Sequence, residues 1–166
     1  MSMSFIDTIR YAGEEEAQEL IAEMIRKQAD ENIDKVKSLL VTLLKSPERK
    51  ARRAVLRAIK NVGFAEKDII GHCAILTKED SEKSVRDLAY ETVLEVLKKA
   101  SDEKKKGLVV EILRLVSKGK AMIDVTDVVE SVGEDFAKSL LEDPELDNDI
   151  KSTIRFALEY LESMKK

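Results

Sequence analysis

Several residue types are scarce in this chain, and each scarcity excludes a class of protein. The one cysteine, Cys73, excludes an intramolecular disulfide and fits a reducing compartment. The one histidine, His72, is too few for a zinc or iron site that needs several histidines from a single chain. Two prolines, six glycines and no tryptophan in 166 residues favour helices over a sheet with many tight turns.

Long hydrophobic runs are also absent. No apolar stretch approaches the ~18 residues that a membrane-spanning helix needs. The opening residues, MSMSFIDTIRYAGEEE, lack the basic flank and apolar centre of a secretion signal. We therefore predict a soluble, cytoplasmic protein.

Charge is plentiful but balanced. Charged residues make up 37% of the chain, against ~25% in typical globular proteins. This bias suits a surface of exposed helix faces and also resembles proteins of thermophilic organisms. The net charge of −4 does not draw the whole chain to nucleic acid or anionic lipid, so such binding requires a local basic patch.

Apolar residues recur at helical spacing along most of the chain. The clearest stretch, Asp80 to Lys99, places valines, leucines and an alanine on one stripe and charges elsewhere. Ser46 is a predicted N-cap, with Pro47 at the first helical position. Helices are predicted over residues 14–29, 33–45, 48–61, 66–77, 80–99, 101–116, 136–141 and 150–161.

The segment 120–133 fits two predictions. Its valines and isoleucine favour a strand on propensity. The spacing of three between Asp124, Asp127 and Glu130 favours a helix. Both a helical and a partly extended conformation remain open for this segment.

Part of the helical pattern repeats. Ala51-Arg52 aligns with Val85-Arg86 at an offset of 34 residues (85 − 51), and Ile150-Lys151 follows after 65 more (150 − 85), or roughly two further periods. Helix pairs that recur at such a period indicate a solenoid, because one pair alone cannot bury its apolar faces. A tetratricopeptide array has a similar period, but the absence of tryptophan and of its Gly-Tyr positions argues against it.

Three stretches resemble the HEAT-like repeat family in its short-period, phycobilisome-lyase-type form. They are DSEKSVRDLAYETVLEVL, SPERKARRAVLRAIKNVG and, more loosely, DPELDNDIKSTIRFALEYL. The resemblance implies that Asp80, Arg52 and Arg86 pair between neighbouring repeats and stabilise their stacking. We thus predict an all-α fold, a right-handed α-α superhelix (HEAT-like solenoid) of antiparallel helix pairs. Residues 1–166 form one domain, with an N-terminal helical cap over 1–30 and about four repeats over 31–166.

One helix has a strongly basic face. Arg49, Arg53, Arg57 and Lys60 follow each other at spacings of 4, 4 and 3 and share that face. A solvated surface is the ordinary explanation for such a run; a docking site for an acidic protein segment or a phosphate backbone is the functional one. Two acidic stretches, 14–23 and 142–149, are solvated helix starts and turns or could pair with a basic patch on a second copy.

Groups suited to catalysis or metal binding are few. His72 and Cys73 are adjacent on a helix and point about 100° apart, so we predict a core cysteine beside a half-exposed histidine. The acids Asp124, Asp127 and Glu130 could hold a hard cation, although a polar surface stripe is commoner. There is no glycine-rich phosphate loop and no Gly-x-Ser-x-Gly motif. We predict no catalytic residues, no metal and no cofactor.

The predicted function is that of a non-catalytic scaffold or adaptor for a protein partner. The alternative is a nucleic-acid-associated protein that binds phosphates through the basic face. Alkylpurine DNA glycosylases also use HEAT-like repeats, but they frame the damaged base with aromatic residues, tryptophan included, so this activity is a remote third option.

Overall fold

The computed structural model describes residues 4–166, and all regular secondary structure within them is α-helical. The predicted all-α class is confirmed; the first three residues of the predicted cap lie outside the described part. The helices are α1 (Phe5–Tyr11), α2 (Glu14–Gln28), α3 (Ile33–Leu44), α4 (Arg49–Val62), α5 (Lys67–Glu79), α6 (Lys83–Lys99), α7 (Asp102–Ser117), α8 (Val125–Val132), α9 (Glu134–Leu141) and α10 (Asn148–Met164).

The helices pack mostly on their neighbours in the chain. Helix α2 contacts α4, α4 contacts α6, α6 contacts α8 and α8 contacts α10; we call these five helices the even row. The odd-numbered helices beside this row contact each other in the same way, α3 with α5 and α5 with α7. They also pack on the even row, α3 on α4 and α5 on α6. Helices α2 to α8 and α10 thereby pack on both a chain neighbour and a helix two positions away, whereas α1 packs on α2 and α9 packs on α8 and α10.

Aliphatic and small residues form the core. In α4 the side chains of Ala51, Ala54 and Ala58 are fully buried, and Val55 and Ile59 fill the space beside them. Alanines let flanking helices approach closely, and α4 is accordingly in contact with both α2 and α6. This packing leaves only one side of α4 for its charged residues, because its other positions are enclosed.

The turns before α4 and α6 are built alike. The Oγ of Ser46 accepts a hydrogen bond from the N–H of Glu48 at 3.2 Å, and an Oδ1 of Asp80 accepts one from the N–H of Glu82 at 2.9 Å. The prediction that Ser46 is the N-cap and Pro47 the first helical residue is wrong, since α4 begins at Arg49 and Glu48 is the N-cap. Ser46 and Asp80 shape the turn three residues before each helix begins, two residues ahead of its N-cap.

Residues 120–133 contain a helix and no strand, so the helical prediction holds for the part of the segment that has regular structure. Residues 121–124 have no regular structure, and α8 follows from Val125 to Val132. The carboxylate of Asp124 caps this helix by accepting the N–H of Thr126 at 2.9 Å. Gly119, with φ of 72°, adopts the left-handed conformation that lets the chain leave α7.

The C-terminal part departs from the regular order. The short helix α9 packs on α8 and α10, and α7 is in contact with α10. Helix α10 therefore closes the even row at the end of the described chain. One face of α10 is buried against these helices through Ile154, Ala157 and Leu158.

Candidate interaction surface

The basic face predicted on α4 is largely paired with carboxylates of neighbouring helices. Arg53 lies 3.1 Å from a carboxylate oxygen of Glu14 on α2, and Arg57 forms an ion pair with the same carboxylate. Lys60 lies 3.4 Å from Glu91 on α6. The three residues thus connect α4 to the helices on either side of it.

Arg49 is the least constrained member of the basic face. Its guanidinium is 3.8 Å from Glu82, and its side chain is 61% exposed. The Arg53 and Arg57 side chains are 24% and 33% exposed. Of the four predicted partner-binding residues, Arg49 is therefore the one whose charge is most accessible to another molecule.

The predicted stacking residues Arg52 and Asp80 form a bidentate ion pair. The Nε of Arg52 donates to one carboxylate oxygen at 2.7 Å and its Nη2 donates to the other at 3.1 Å. Both side chains are nearly buried, at 11% and 3% exposure. The pair joins the start of α4 to the turn before α6, and its fork geometry fixes the spacing between them.

Arg86 occupies the same place in α6 as Arg52 in α4 but has a different environment. Each donates from Nη1 to a backbone carbonyl six residues earlier, Arg52 to Ser46 at 3.0 Å and Arg86 to Asp80 at 2.7 Å. Among residues 4–166, however, no carboxylate lies within ion-pair distance of Arg86. The position three residues before α8, which corresponds to Asp80 before α6, is the exposed Met122.

Tyr90 connects α6 to α8, a contact that the sequence patterns did not indicate. Its hydroxyl donates to the carboxylate of Asp127 and accepts the N–H of Asp124 at 3.1 Å. Partial burial, assisted by the bond to Asp127, raises the pKa of Tyr90 to about 12. The phenol is thus held in its neutral, hydrogen-bonding form.

This contact also bears on the cation site considered for Asp124, Asp127 and Glu130. The first two carboxylates are engaged by Thr126 and Tyr90 respectively. Within the described chain, no group of three or more histidine, cysteine or acidic side chains is arranged to hold a metal. The structure gives this trio of acids no common coordination centre.

Cys73 and His72 lie in different environments on α5. Cys73 is fully buried, and this burial raises the pKa of its thiol to about 12. Partial burial lowers the pKa of His72, with the nearby charge of Lys45 acting in the same direction. A buried, protonated thiol is a poor nucleophile, so the adjacent pair does not form a reactive site.

Lysines at the starts and ends of other helices are engaged in contacts of their own. Lys99 donates to the Lys60 carbonyl at 3.2 Å, Lys104 lies 2.9 Å from Glu66, and Lys106 lies 2.6 Å from Asp143. Part of the acidic stretch 142–149 is thereby neutralised. Lys104 and Lys106 are paired with carboxylates, whereas Lys99 places its ammonium group at the end of α4, 3.9 Å from Glu95.

An apolar stripe on α10 also went unrecognised in the sequence. Phe156, Tyr160 and Met164 are 72%, 49% and 67% exposed and follow each other at intervals of four along the helix. The signal was present as large apolar residues beside the buried stripe of α10. It is easily overlooked because the helix also has a complete buried face.

The helices lack any segment long and apolar enough to cross a membrane, as judged over residues 4–166. Comparison of the chain with protein-family models, with curated proteins and with solved structures gives no match.

Proposed function

We propose that this protein is a non-catalytic scaffold or adaptor, a short right-handed α-solenoid of HEAT-like helical pairs that presents its even row to a protein partner. The observation that supports this most directly is the succession of cross-helix ties along that row. Glu14 holds Arg53 and Arg57 between α2 and α4, and Arg52 holds Asp80 between α4 and the turn before α6. A surface fixed in this way loses little conformational entropy when it binds.

The charge pattern favours a protein partner over a phosphate backbone. The basic residues of α4 alternate with Glu14, Glu82 and Glu91 of the flanking helices, so a phosphate chain would meet carboxylates beside each cation. A folded protein can match such an alternating pattern with complementary charges. A nucleic acid cannot, because all of its backbone charges have one sign.

A charge-reversal experiment tests both the function and the surface. The first variant replaces Arg49 and Lys83, exposed residues at the starts of α4 and α6, with Glu. The matched control replaces the exposed Lys35 of α3 and Lys118 at the end of α7 with Glu, which changes the net charge equally. Each tagged protein is used to capture partners from cell extract with and without nuclease, and recovered proteins are then purified and their affinities measured.

We expect the capture to recover a partner protein whether or not nuclease is present. This partner should bind the wild type and the control variant with equal affinity and the Arg49/Lys83 variant at least tenfold more weakly. Capture that disappears with nuclease and falls steeply with salt would support the nucleic-acid alternative instead. Equal binding by both variants would reject the even row as the binding surface. Failure to recover any partner would reject the scaffold function.

A further inference from the structure

Arg86 has two hydrogen-bond donors that its counterpart Arg52 uses in the ion pair with Asp80. In both arginines Nη1 donates to the backbone carbonyl six residues earlier, which holds the two guanidinium groups in the same way. Arg52 directs its Nε and Nη2 at the carboxylate of Asp80. Among residues 4–166, the Nε and Nη2 of Arg86 have no hydrogen-bond acceptor, and no carboxylate lies within ion-pair distance. A two-donor fork of the kind that carboxylates accept is therefore free on α6.

The donors of this fork are accessible from outside the molecule. Within the described chain, the only enclosed side-chain nitrogen or oxygen that lacks a hydrogen bond is the Oγ of Ser84. The Nε and Nη2 of Arg86 are therefore in contact with solvent, although the side chain as a whole is partly buried. Partial burial strengthens the attraction between this guanidinium and an anion that arrives from solvent.

The turn before α8 has an apolar residue where the turn before α6 has a carboxylate. The equivalent of Asp80 is Met122, whose side chain is 65% exposed and so is not packed in the place of that carboxylate. This turn lies against α6 one helical turn beyond Arg86, since the hydroxyl of Tyr90 accepts the N–H of Asp124 at 3.1 Å. The fork on α6 thus faces a turn that does not supply its counter-charge.

Two carboxylates in and after this turn are already engaged. Asp124 accepts the N–H and the hydroxyl of Thr126, and Asp127 accepts the hydroxyl of Tyr90. Their negative charge opposes the approach of a multiply charged phosphate more than that of a single carboxylate. A ligand for this position is therefore one whose carboxylate is held in place by further contacts.

A cavity beside Met122 can provide such contacts. It has a volume of about 470 Å³ and lies between Tyr90 of α6, the end of α7 and the residues before α8. Val116, Ala121 and Ile123 give it an apolar lining. An apolar side chain next to the carboxylate can bury part of its surface there.

We infer that Arg86 and this cavity bind an acidic turn of a partner protein. An aspartate of that turn pairs with the fork of Arg86 as Asp80 pairs with Arg52, and an apolar residue beside the aspartate enters the cavity. The molecule contains its own template, because residues 80–83 already present an aspartate to the same fork on α4. The choice of a protein as the ligand rests on the proposed scaffold function.

The first test uses peptides that copy this turn. The probe is acetyl-LDSEK-amide, in which residues 80–83 of this chain follow a leucine, and the matched control is acetyl-LNSEK-amide, which lacks the aspartate carboxylate. Binding to the purified full chain is followed through the Nε–Hε resonance of Arg86 in nitrogen-correlated NMR spectra, assigned by its absence from Arg86→Lys. We expect the aspartate peptide to shift this resonance saturably and to bind about tenfold more tightly than the asparagine peptide, because its hydrogen bonds are charge-assisted.

Variants of the protein test the same contact from the other side. Arg86→Lys keeps the positive charge but lacks the fork, and it should weaken binding of the aspartate peptide about tenfold. Met122→Asp places a carboxylate of the chain itself before the fork, so it should bind this peptide about tenfold more weakly than Met122→Asn, which has nearly the same shape without the charge. The second comparison leaves Arg86 in place and does not depend on whether Arg86→Lys folds. Circular dichroism of each variant checks that the helices are retained.

Three results would overturn the inference. They are no saturable shift of the wild-type resonance, equal binding of the aspartate and asparagine peptides, and equal binding of the aspartate peptide by Met122→Asp and Met122→Asn. If the peptide does not bind but the capture experiment recovers a partner that depends on Arg49 and Lys83, this inference fails and the scaffold function stands. If the peptide binds as expected and no partner is recovered, the scaffold function fails and the carboxylate site stands.

Discussion

Two junctions of the even row are held together by different side-chain interactions. Between α4 and α6 the tie is an ion pair, Arg52 with Asp80, that is almost excluded from water. Between α6 and α8 the equivalent arginine, Arg86, has only its backbone contact, and the neutral phenol of Tyr90 connects the helices instead. The hydrogen bond from the arginine to its own turn is therefore present at both junctions, whereas the side-chain contact between the helices differs.

The difference shows that the arginine at the start of α4 or α6 makes two separable kinds of contact. The bond from an arginine to the carbonyl six residues earlier lies within one turn–helix unit, and it occurs at both junctions. The bond between units requires a partner in the next turn, and it exists only where Asp80 is present. The four changes below test this comparison from the largest expected effect to the smallest.

Asp80→Ala should have the largest effect, lowering the free energy of unfolding by about 3–5 kcal/mol. The change leaves the guanidinium of Arg52, which is 11% exposed, without its counter-charge, and it removes the acceptor of the Glu82 N–H. Urea unfolding followed by circular dichroism measures the loss. Asp87→Ala breaks an exposed ion pair with Lys83 and should cost at most about 0.5 kcal/mol. A similar cost for both variants would contradict the dominant role of the buried pair.

Tyr90→Phe should lower the free energy of unfolding by about 1–2 kcal/mol. The change removes the donor to Asp127 and leaves the N–H of Asp124 without its acceptor. Urea unfolding again measures the loss, with Tyr160→Phe as the control because the Tyr160 ring is on the exposed stripe. If both variants unfold at the wild-type midpoint, the phenol does not hold α6 to α8.

The same tyrosine predicts a pH dependence. Its pKa is about 12 in the folded protein, against 10.0 as the ordinary value. Above pH ~10 the unfolded state loses this proton before the folded state does, so the stability that Tyr90 contributes falls as pH rises through this range. The wild type should therefore lose its advantage over Tyr90→Phe between pH ~10 and ~12. Phenolate absorbance should show one late-titrating tyrosine that Tyr90→Phe lacks.

Glu14→Gln extends the comparison to the junction of α2 with α4. It should cost about 1 kcal/mol at low salt, because one carboxylate serves both Arg53 and Arg57 but is 30% exposed. Molar salt should shrink the effect, since these charges are partly accessible to ions. Glu23→Gln, which removes only the surface pair with Lys27, should have a smaller effect. Equal costs would mean that the shared carboxylate adds nothing to α2–α4 packing.

Met122→Asp should have the smallest effect, a gain of about 0.5 kcal/mol. It places a carboxylate before α8 at the position that Asp80 occupies before α6, where Arg86 can act as its partner. Asn has nearly the same shape as Asp but no charge, so Met122→Asn should give no gain in stability. A gain from both variants would assign the effect to removal of the exposed methionine.

The sequence indicated most helices because each is specified by residues within a few turns of one another. The stripe of Val85, Leu88, Ala89 and Val93 in α6 is an example, and all four side chains are buried. Helix starts were predicted less accurately: α6 begins at Lys83, three residues after the expected Asp80. An Asp or Ser can bond to its own turn as readily as to a helix end, and spacing alone does not distinguish the two.

For the segment 120–133, local sequence information was not enough to predict the secondary structure. Its valines permit helix or strand, and contacts from elsewhere decided between them. The hydroxyls of Thr77 and Tyr90 accept the N–H groups of Met122 and Asp124, which holds these residues outside the helix. The chain becomes helical only after the Asp124 cap.

By itself, the sequence determined the helical class, the positions of the helices to within a few residues and the correspondence of Arg52 with Arg86. These properties are local, since they depend on side chains within one or two turns. Only the tertiary structure decided which charges are free. Arg53 and Glu14 are 39 residues apart, and their pairing removes part of the free positive charge from an apparently basic face. Helix packing sets such distances, and packing depends on the whole chain.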